Sequence, residues 1–98
     1  MKPGVEIRYN IDEDTGLPHI YGHGVTEDEV ETVLRRPIES RRGGDDSRIV
    51  IGQTSAGRYL RVLVVPDPDG KGIFVVTAYD LTGIPLAALR RRQRKRGR

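Results

Sequence analysis

The chain has no cysteine in its 98 residues. This absence excludes disulfides, thiolate zinc sites and cysteine nucleophiles, and it is compatible with a reducing compartment. No apolar run approaches the roughly 20 residues that a membrane-spanning helix needs, and residues 1–6 lack the apolar core of a signal peptide. We therefore expect a cytoplasmic protein without a membrane partner.

Acidic residues are absent from the last nine positions, which makes the charge distribution uneven. The chain carries 17 basic and 14 acidic residues, a formal net charge of +3. Residues 90–98 hold seven of the basic side chains, so residues 1–89 carry a net charge of −4. A basic end on an acidic body favours a polyanion partner, although a solvated, partly disordered C-terminus is the alternative. The predicted nucleic-acid contacts in this segment are Arg90, Arg91, Arg92, Arg94, Lys95 and Arg96.

Apolar content and length together predict one folded domain. Leu, Ile, Val and Phe total 26 residues, which is too many for a disordered chain of this charge. We predict a single α+β domain over residues 1–89 and a basic C-terminal helix end or arm over residues 90–98. Apolar patterning predicts strands at residues 5–11, 48–52, 58–65 and 73–80. The short links between the last three strands imply antiparallel hairpins, and hence a small antiparallel sheet of about four strands.

Two helices complete the expected element order β-α-β-β-β-α. The clearest helix start is Thr26, because Glu29 three residues later forms a capping box with it. Pro37 ends this helix. Residues 40–46 are polar and glycine-rich, which predicts a mobile loop. A C-terminal helix is predicted from Pro85 at a first helical position and the good helix formers that follow it.

The register of the last hairpin decides which side chains share a face of the sheet. A loop centred on Asp69 places Arg61 opposite Thr77 and Tyr59 opposite Tyr79. The other face is wholly apolar in this register and is the predicted core: Leu60, Val62, Val64, Phe74, Val76 and Ala78.

Three segments of the chain resemble BrnT-type toxins. His-Gly-Val-Thr-Glu-Asp-Glu-Val at residues 23–30 is similar to their His-Gly-Val and acidic-helix start. Residues 49–62 look like their strand–Gly–turn–Gly-Arg-x-Leu-x-Val hairpin, and residues 73–78 look like the strand that follows. The resemblance covers residues 19–96, and a related uncharacterised group of toxin-like small domains shares part of it. It implies a RelE-like fold, endoribonuclease activity and pairing with a DNA-binding antitoxin.

The chain departs from the BrnT-type pattern in two places. Thr77-Ala78-Tyr79 stands where that family typically has Ser-Ala-Arg, so the arginine expected to meet RNA phosphate is a tyrosine here. The segment over residues 12–24 is also short for the family's first helix. Both departures bear on catalysis more than on fold, because fold does not carry function.

The residue types needed for metal-independent RNA cleavage are all present. This reaction needs a base for the 2′-hydroxyl proton, an acid for the leaving oxygen, and cations for the phosphorane charge. The predicted catalytic residues are His23, His19, Arg61 and Tyr79. His19 and His23 share a face if their segment is helical. Neither a metal nor a cofactor is predicted, because Gly22 weakens the helix that a His-x-x-x-His zinc site needs and no third ligand is obvious.

Each of these assignments has a structural alternative. The histidines can cap or pack against the turn before the helix, and Tyr79 can form a sheet-surface pair with Tyr59. Arg61 can cover the sheet with its aliphatic stem. Arg58, on the opposite face of the strand from Arg61, is a further predicted nucleic-acid contact, and it also stands opposite Asp80 for a cross-strand ion pair.

Three functions are consistent with the sequence. The first is a toxin-type endoribonuclease that acts on RNA, including ribosome-bound mRNA, and is neutralised by an antitoxin protein. The second is a non-catalytic RNA- or ribosome-binding module that uses the same sheet and arm. The third is a protein-interaction domain in which a sheet edge and the Tyr59/Tyr79 patch meet a partner chain.

Overall fold

The strands of the protein form one mixed sheet in the computed structural model, which describes residues 6–96. The strands are β1 Glu6–Tyr9, β2 Pro37–Arg42, β3 Arg48–Gln53, β4 Tyr59–Pro66 and β5 Gly72–Asp80. Their order in the sheet is β1-β5-β4-β3-β2, with β1 parallel to β5 and all other neighbours antiparallel. The helical segments are a 3-10 helix, His19–His23, followed by α1, Glu27–Arg35, and α2, Gly83–Arg96.

The predicted α+β class is confirmed, but the sheet has five strands within residues 6–96, and one of its pairs is parallel. The strand that the sequence did not reveal is β2, part of which was predicted as loop. It is polar because it lies at an edge of the sheet and pairs only with β3, and edge strands tolerate charged residues well. The chain reverses after β2, where Asp45 and Asp46 take φ angles of 52° and 63°. The loop prediction was therefore wrong for residues 40–42.

The predicted register of the β4–β5 hairpin is wrong by one residue at the loop end, where Val64 pairs with Val75 and not with Phe74, and a β-bulge adds a second residue of shift. Leu63 pairs with Thr77, whereas the next residue, Val64, pairs with Val75, so Val76 is the extra residue on β5. Beyond the bulge, Arg61 stands opposite Tyr79 instead of Thr77. The bulge also makes Val75 the buried residue where the sequence predicted its neighbours Phe74 and Val76. A bulge of this kind leaves no clear signal in the apolar pattern, yet it brings a cation and a phenol side by side.

The larger core lies on the face of the sheet covered by the 3-10 helix and α1, here called the first face. Alternate residues of β3, β4 and β5 meet apolar residues of the two helices and of the turn between them. Thr26 and Glu29 form the predicted capping box, which fixes the start of α1. The buried members of this core are Ile20, Val25, Val30, Val33, Val50, Leu60, Val62, Val64, Val75 and Ala78.

The opposite, second face of the sheet is covered at one end by α2. Leu89 is the fully buried residue of α2 and packs in a small cluster with Ile51 and Leu81. Arg92 and Arg96 both form ion pairs with Glu39 of β2, which fastens the basic helix to the sheet edge. No helix within residues 6–96 combines the length and apolar character that crossing a bilayer requires.

The contact between α1 and β3 depends on the absence of a side chain at Gly52. A Cβ atom there would lie 3.0 Å from Val33 Cγ1 and 3.3 Å from the Arg36 carbonyl oxygen. We expect Gly52→Ala to lower the free energy of unfolding by about 1–3 kcal/mol, because α1 must shift away from the sheet. Urea unfolding checks this value. Gly44→Ala is the matched control, since a Cβ there would meet open space, and an equal loss in both variants would contradict the packing argument.

Candidate active site

The 3-10 helix places His19 and His23 side by side at the edge of β5. Ile20 is buried in the core between them, and its carbonyl accepts a hydrogen bond from Val25 N at 3.1 Å. Gly24 closes the helix with a φ angle of 70°. The two imidazole rings are in edge contact, with centroids 5.1 Å apart and planes at 78°. The four-residue spacing seen in the sequence therefore does bring the two rings together.

His19 is held by a carboxylate that sequence reasoning missed. Asp12 Oδ1 lies 2.9 Å from His19 Nδ1. Asp12 is fixed by a tight turn, because Asp12 N donates to the Leu17 carbonyl and the Asp12 carbonyl accepts from Gly16 N. A carboxylate on Nδ1 favours the proton on that nitrogen, which leaves Nε2 of His19 for other partners. The signal in the sequence was the Asp-x-x-x-Gly turn, which by itself indicates only local structure.

His23 meets Tyr79 because β1 is short. β1 pairs with β5 only as far as Val75, so the remaining edge of β5 is left to the 3-10 helix. The His23 and Tyr79 ring centroids are 6.0 Å apart with planes at 54°. Both side chains are exposed, and Tyr79 retains 37 % of its surface. A small polar group can therefore reach the space beside both rings.

Arg61 extends this cluster across the second face. It stands between Ile51 on β3 and Tyr79 on β5. Its Nε atom is buried and has no hydrogen-bond partner among residues 6–96. None of the ion pairs within the described part of the chain includes Arg61. An uncompensated guanidinium next to a phenol is suited to bind an anion.

The first basic residue of α2 approaches the same face. The Arg90 guanidinium lies over the Tyr59 ring, 5.5 Å from its centroid. Tyr59 accepts a backbone hydrogen bond from Leu81, so it is the diagonal neighbour of Tyr79 across the strands. We use the name catalytic cluster for Asp12, His19, His23, Tyr79 and Arg61, after the role that the sequence predicts for the last four. Tyr59 and Arg90 lie next to this cluster.

The remaining predicted nucleic-acid contacts fall into two groups. Arg58, Arg92 and Arg96 take part in ion pairs within the protein. The others, Arg91, Arg94 and Lys95, are exposed on α2 and form no ion pair with any residue from 6 to 96. In the same range, the acidic and histidine side chains form no group of three or more suited to a metal ion.

Acid should weaken the protein through carboxylates that are paired in the fold. The Arg58 hydrogen bond lowers the pKa of Asp80 below its ordinary value of 3.8, and the Arg92 hydrogen bond lowers that of Glu39. A carboxyl whose pKa is lower in the folded than in the unfolded state stabilises the fold above its ordinary pKa, and this stabilisation is lost as pH falls through the folded value. We therefore expect the free energy of unfolding to be level above about pH 5 and to fall below about pH 4.

Asp80→Asn tests the origin of that acid dependence. The variant should be less stable than the wild type at pH 7 and should lose less stability between about pH 5 and pH 2, because one linked carboxyl has been removed. Urea unfolding followed by circular dichroism at several pH values measures both effects. Asp46→Asn is the control, because Asp46 is exposed in a turn. An unchanged pH profile for Asp80→Asn would show that the Arg58 pair does not contribute.

The fold and the catalytic cluster define a small α+β domain that carries a histidine pair and a tyrosine at a partly open sheet edge. The chain belongs to the family described as Domain of unknown function (DUF4258), whose match spans residues 11–80. No curated protein matches the chain, and no solved structure does. The matched region contains every residue of the catalytic cluster and ends before α2, so the basic helix lies outside the part that defines the family.

Proposed function

We propose that this domain is an endoribonuclease that cleaves RNA by metal-independent acid–base chemistry, in the manner of RelE-like toxins. The observation that carries the proposal is the placement of His23 between His19 and Tyr79, with Arg61 opposite Tyr79. His23 can act as a general base beside the hydroxyl donor Tyr79, and Arg61 supplies a cation at the paired position of the neighbouring strand. The RelE-like topology, the toxin role and a neutralising antitoxin as protein partner belong to the same proposal, and they rest on the resemblance to BrnT-type toxins.

Each side chain has a role in the proposed reaction. His23 accepts the proton of the 2′-hydroxyl, and the 2′-oxygen attacks the phosphorus. Tyr79 donates its phenolic proton to the departing 5′-oxygen, because its hydroxyl is a hydrogen-bond donor. Arg61 binds the charge that develops on the phosphorane. Asp12 and His19 hold the His23 ring in place. The products are a 2′,3′-cyclic phosphate and a 5′-hydroxyl.

The direct test is RNA cleavage in the presence of EDTA. We expect fragments ending in a 2′,3′-cyclic phosphate, and no cleavage at a nucleotide whose 2′-hydroxyl is replaced by hydrogen. Free RNA and ribosome-bound mRNA should both be tried, together with growth after induced expression. If the protein leaves both RNAs intact and does not slow growth, the enzyme proposal fails.

A non-catalytic RNA-binding module is the second candidate. The specific observation in its favour is the exposed row Arg91, Arg94 and Lys95 on α2, together with a tyrosine at position 79 where BrnT-type toxins typically carry arginine. RNA affinity that falls steeply with salt, without cleavage, would select this function. Deleting residues 90–98 should then reduce both the affinity and its salt dependence. Retained affinity after the deletion would contradict a role for the arm in either function.

A further inference from the structure

We infer that Arg58 is a positioning residue that holds His23 against Tyr79 through the backbone carbonyls at the C-terminal end of the 3-10 helix. This inference rests on the proposed function, because it assigns Arg58 a role in the proposed catalytic cluster. It differs from the sequence-based prediction that Arg58 binds nucleic acid. It also goes beyond the expected pair with Asp80, because the guanidinium joins three separate segments of the chain.

The Arg58 guanidinium contacts the chain next to each of the two reacting groups, at Gly24 beside His23 and at Asp80 beside Tyr79. Nη1 donates to the Gly24 carbonyl at 2.7 Å, and Nη2 lies 3.4 Å from the His23 carbonyl. On the other side, Nη2 donates to Asp80 Oδ2 at 3.1 Å, and Nε donates to Asp80 Oδ1. Asp80 directly follows Tyr79 in β5. The guanidinium thus links the backbone of His23 to the residue next to Tyr79.

A third contact fixes the guanidinium to the start of α1. Nη1 lies 3.2 Å and 3.3 Å from the two carboxylate oxygens of Glu29. Glu29 is itself held, because it accepts from Thr26 N in the capping box. The start of α1 therefore fixes the position of the Arg58 guanidinium, and this fixed position determines where the His23 carbonyl and Asp80 can bind it.

The backbone of Arg58 is equally well fixed. Arg58 N donates to Thr54 Oγ1 at 3.0 Å, and the Arg58 carbonyl accepts from Thr54 N at 2.8 Å. Thr54 is buried and is the first residue of the loop between β3 and β4. Both ends of the side chain are therefore tied into the fold. A direct contact between Arg58 and RNA phosphate would have to displace carbonyl and carboxylate partners together.

Only a guanidinium can make this set of contacts. Its five N–H donors lie in one plane and point in three directions, whereas an ammonium is a compact charge on a flexible stem. Arg58→Lys therefore keeps the charge and loses the simultaneous links to Gly24, Glu29 and Asp80. Arg8→Lys is the matched control, because Arg8 forms an ion pair with Asp67 that lies outside the catalytic cluster.

The test has a structural readout that does not depend on activity. In the free protein, the nuclear Overhauser effect between the ring protons of His23 and Tyr79 should weaken or vanish in Arg58→Lys and persist in Arg8→Lys. For cleavage, kcat should fall about 10²-fold in Arg58→Lys with little change in KM, since a misplacement of about 1 Å costs this much. An intact ring contact together with a raised KM and unchanged kcat would show that Arg58 contacts RNA, and would overturn the inference.

A second variant covers the case in which Arg58→Lys does not fold. Asp80→Asn keeps Arg58 and its contacts with Glu29, and weakens only the link to β5. The same loss of the His23–Tyr79 contact is expected, and a wild-type contact in this variant would overturn the inference. If the wild-type protein does not cleave RNA, the proposed function fails, while the ring-contact comparison still decides whether Arg58 positions His23.

Discussion

Replacing His23 with alanine is expected to slow the proposed RNA cleavage by about 10²–10⁴-fold, which is the range for loss of a general acid or base. His23 is the central group of the catalytic cluster, since its ring contacts His19 on one side and Tyr79 on the other. The side chain is exposed, so its removal should leave the fold intact. The measurement is the single-turnover rate with a labelled RNA in EDTA, together with the urea unfolding curve.

Tyr21→Phe is a suitable control for the His23 variant. Tyr21 lies in the same 3-10 helix and is also exposed, but its hydroxyl donates to Glu27 Oε1 at 2.6 Å, outside the catalytic cluster. The control should cleave at the wild-type rate. Added imidazole should restore part of the cleavage rate of His23→Ala, because a free base can replace the missing ring, and it should not raise the rate of Tyr21→Phe. Wild-type cleavage by His23→Ala would remove His23 from the mechanism.

Much of the fold could be predicted from local patterns in the sequence. The capping box at Thr26 marked the start of α1, and β-branched runs marked β3, β4 and β5, because each of these signals acts over a few residues. The parallel pairing of β1 with β5 could not be predicted, since it depends on which strands meet in space. β2 was missed for a related reason: an edge strand needs no apolar face, so its sequence is that of a polar loop.

In the site, as in the fold, features that depend on local sequence could be predicted, whereas features that depend on tertiary structure could not. The spacing of His19 and His23 was visible, and the two rings do meet. Asp12 was missed because its approach to His19 depends on a turn whose direction the sequence does not give. The pairing of Arg61 with Tyr79 was missed because the hairpin loop shifts the register by one residue and the bulge at Val76 shifts it by another. Arginine commonly binds phosphate, so the sequence suggested that Arg58 contacts RNA. The carbonyl and carboxylate groups around Arg58 come from distant segments, and only the fold brings them together.

Replacing Arg61 with methionine is expected to slow cleavage by about 10²–10³-fold while making the protein more stable. The rate should fall because a donor that stabilises transition-state charge is lost. Stability should rise by about 1 kcal/mol, because the buried Nε atom of Arg61 has no hydrogen-bond partner within residues 6–96, and leaving such a group unpaired costs about 1–3 kcal/mol. Methionine keeps an unbranched apolar stem against Ile51. Cleavage rates and urea unfolding of the same samples measure both effects.

Opposite changes in activity and stability would separate a binding role from a structural one. If Arg61 has only a packing role, its replacement should lower both the cleavage rate and the free energy of unfolding. If it binds an anionic substrate, its unpaired charge destabilises the free protein, and its replacement should lower the rate and raise the stability. Arg61→Lys refines the comparison, because it preserves the charge and loses the planar donor fork. Arg61→Lys should retain part of the cleavage activity and should show little of the stability gain expected for Arg61→Met. If Arg61→Met is less stable than the wild type and cleaves RNA at the wild-type rate, Arg61 stabilises the sheet and does not bind the phosphate.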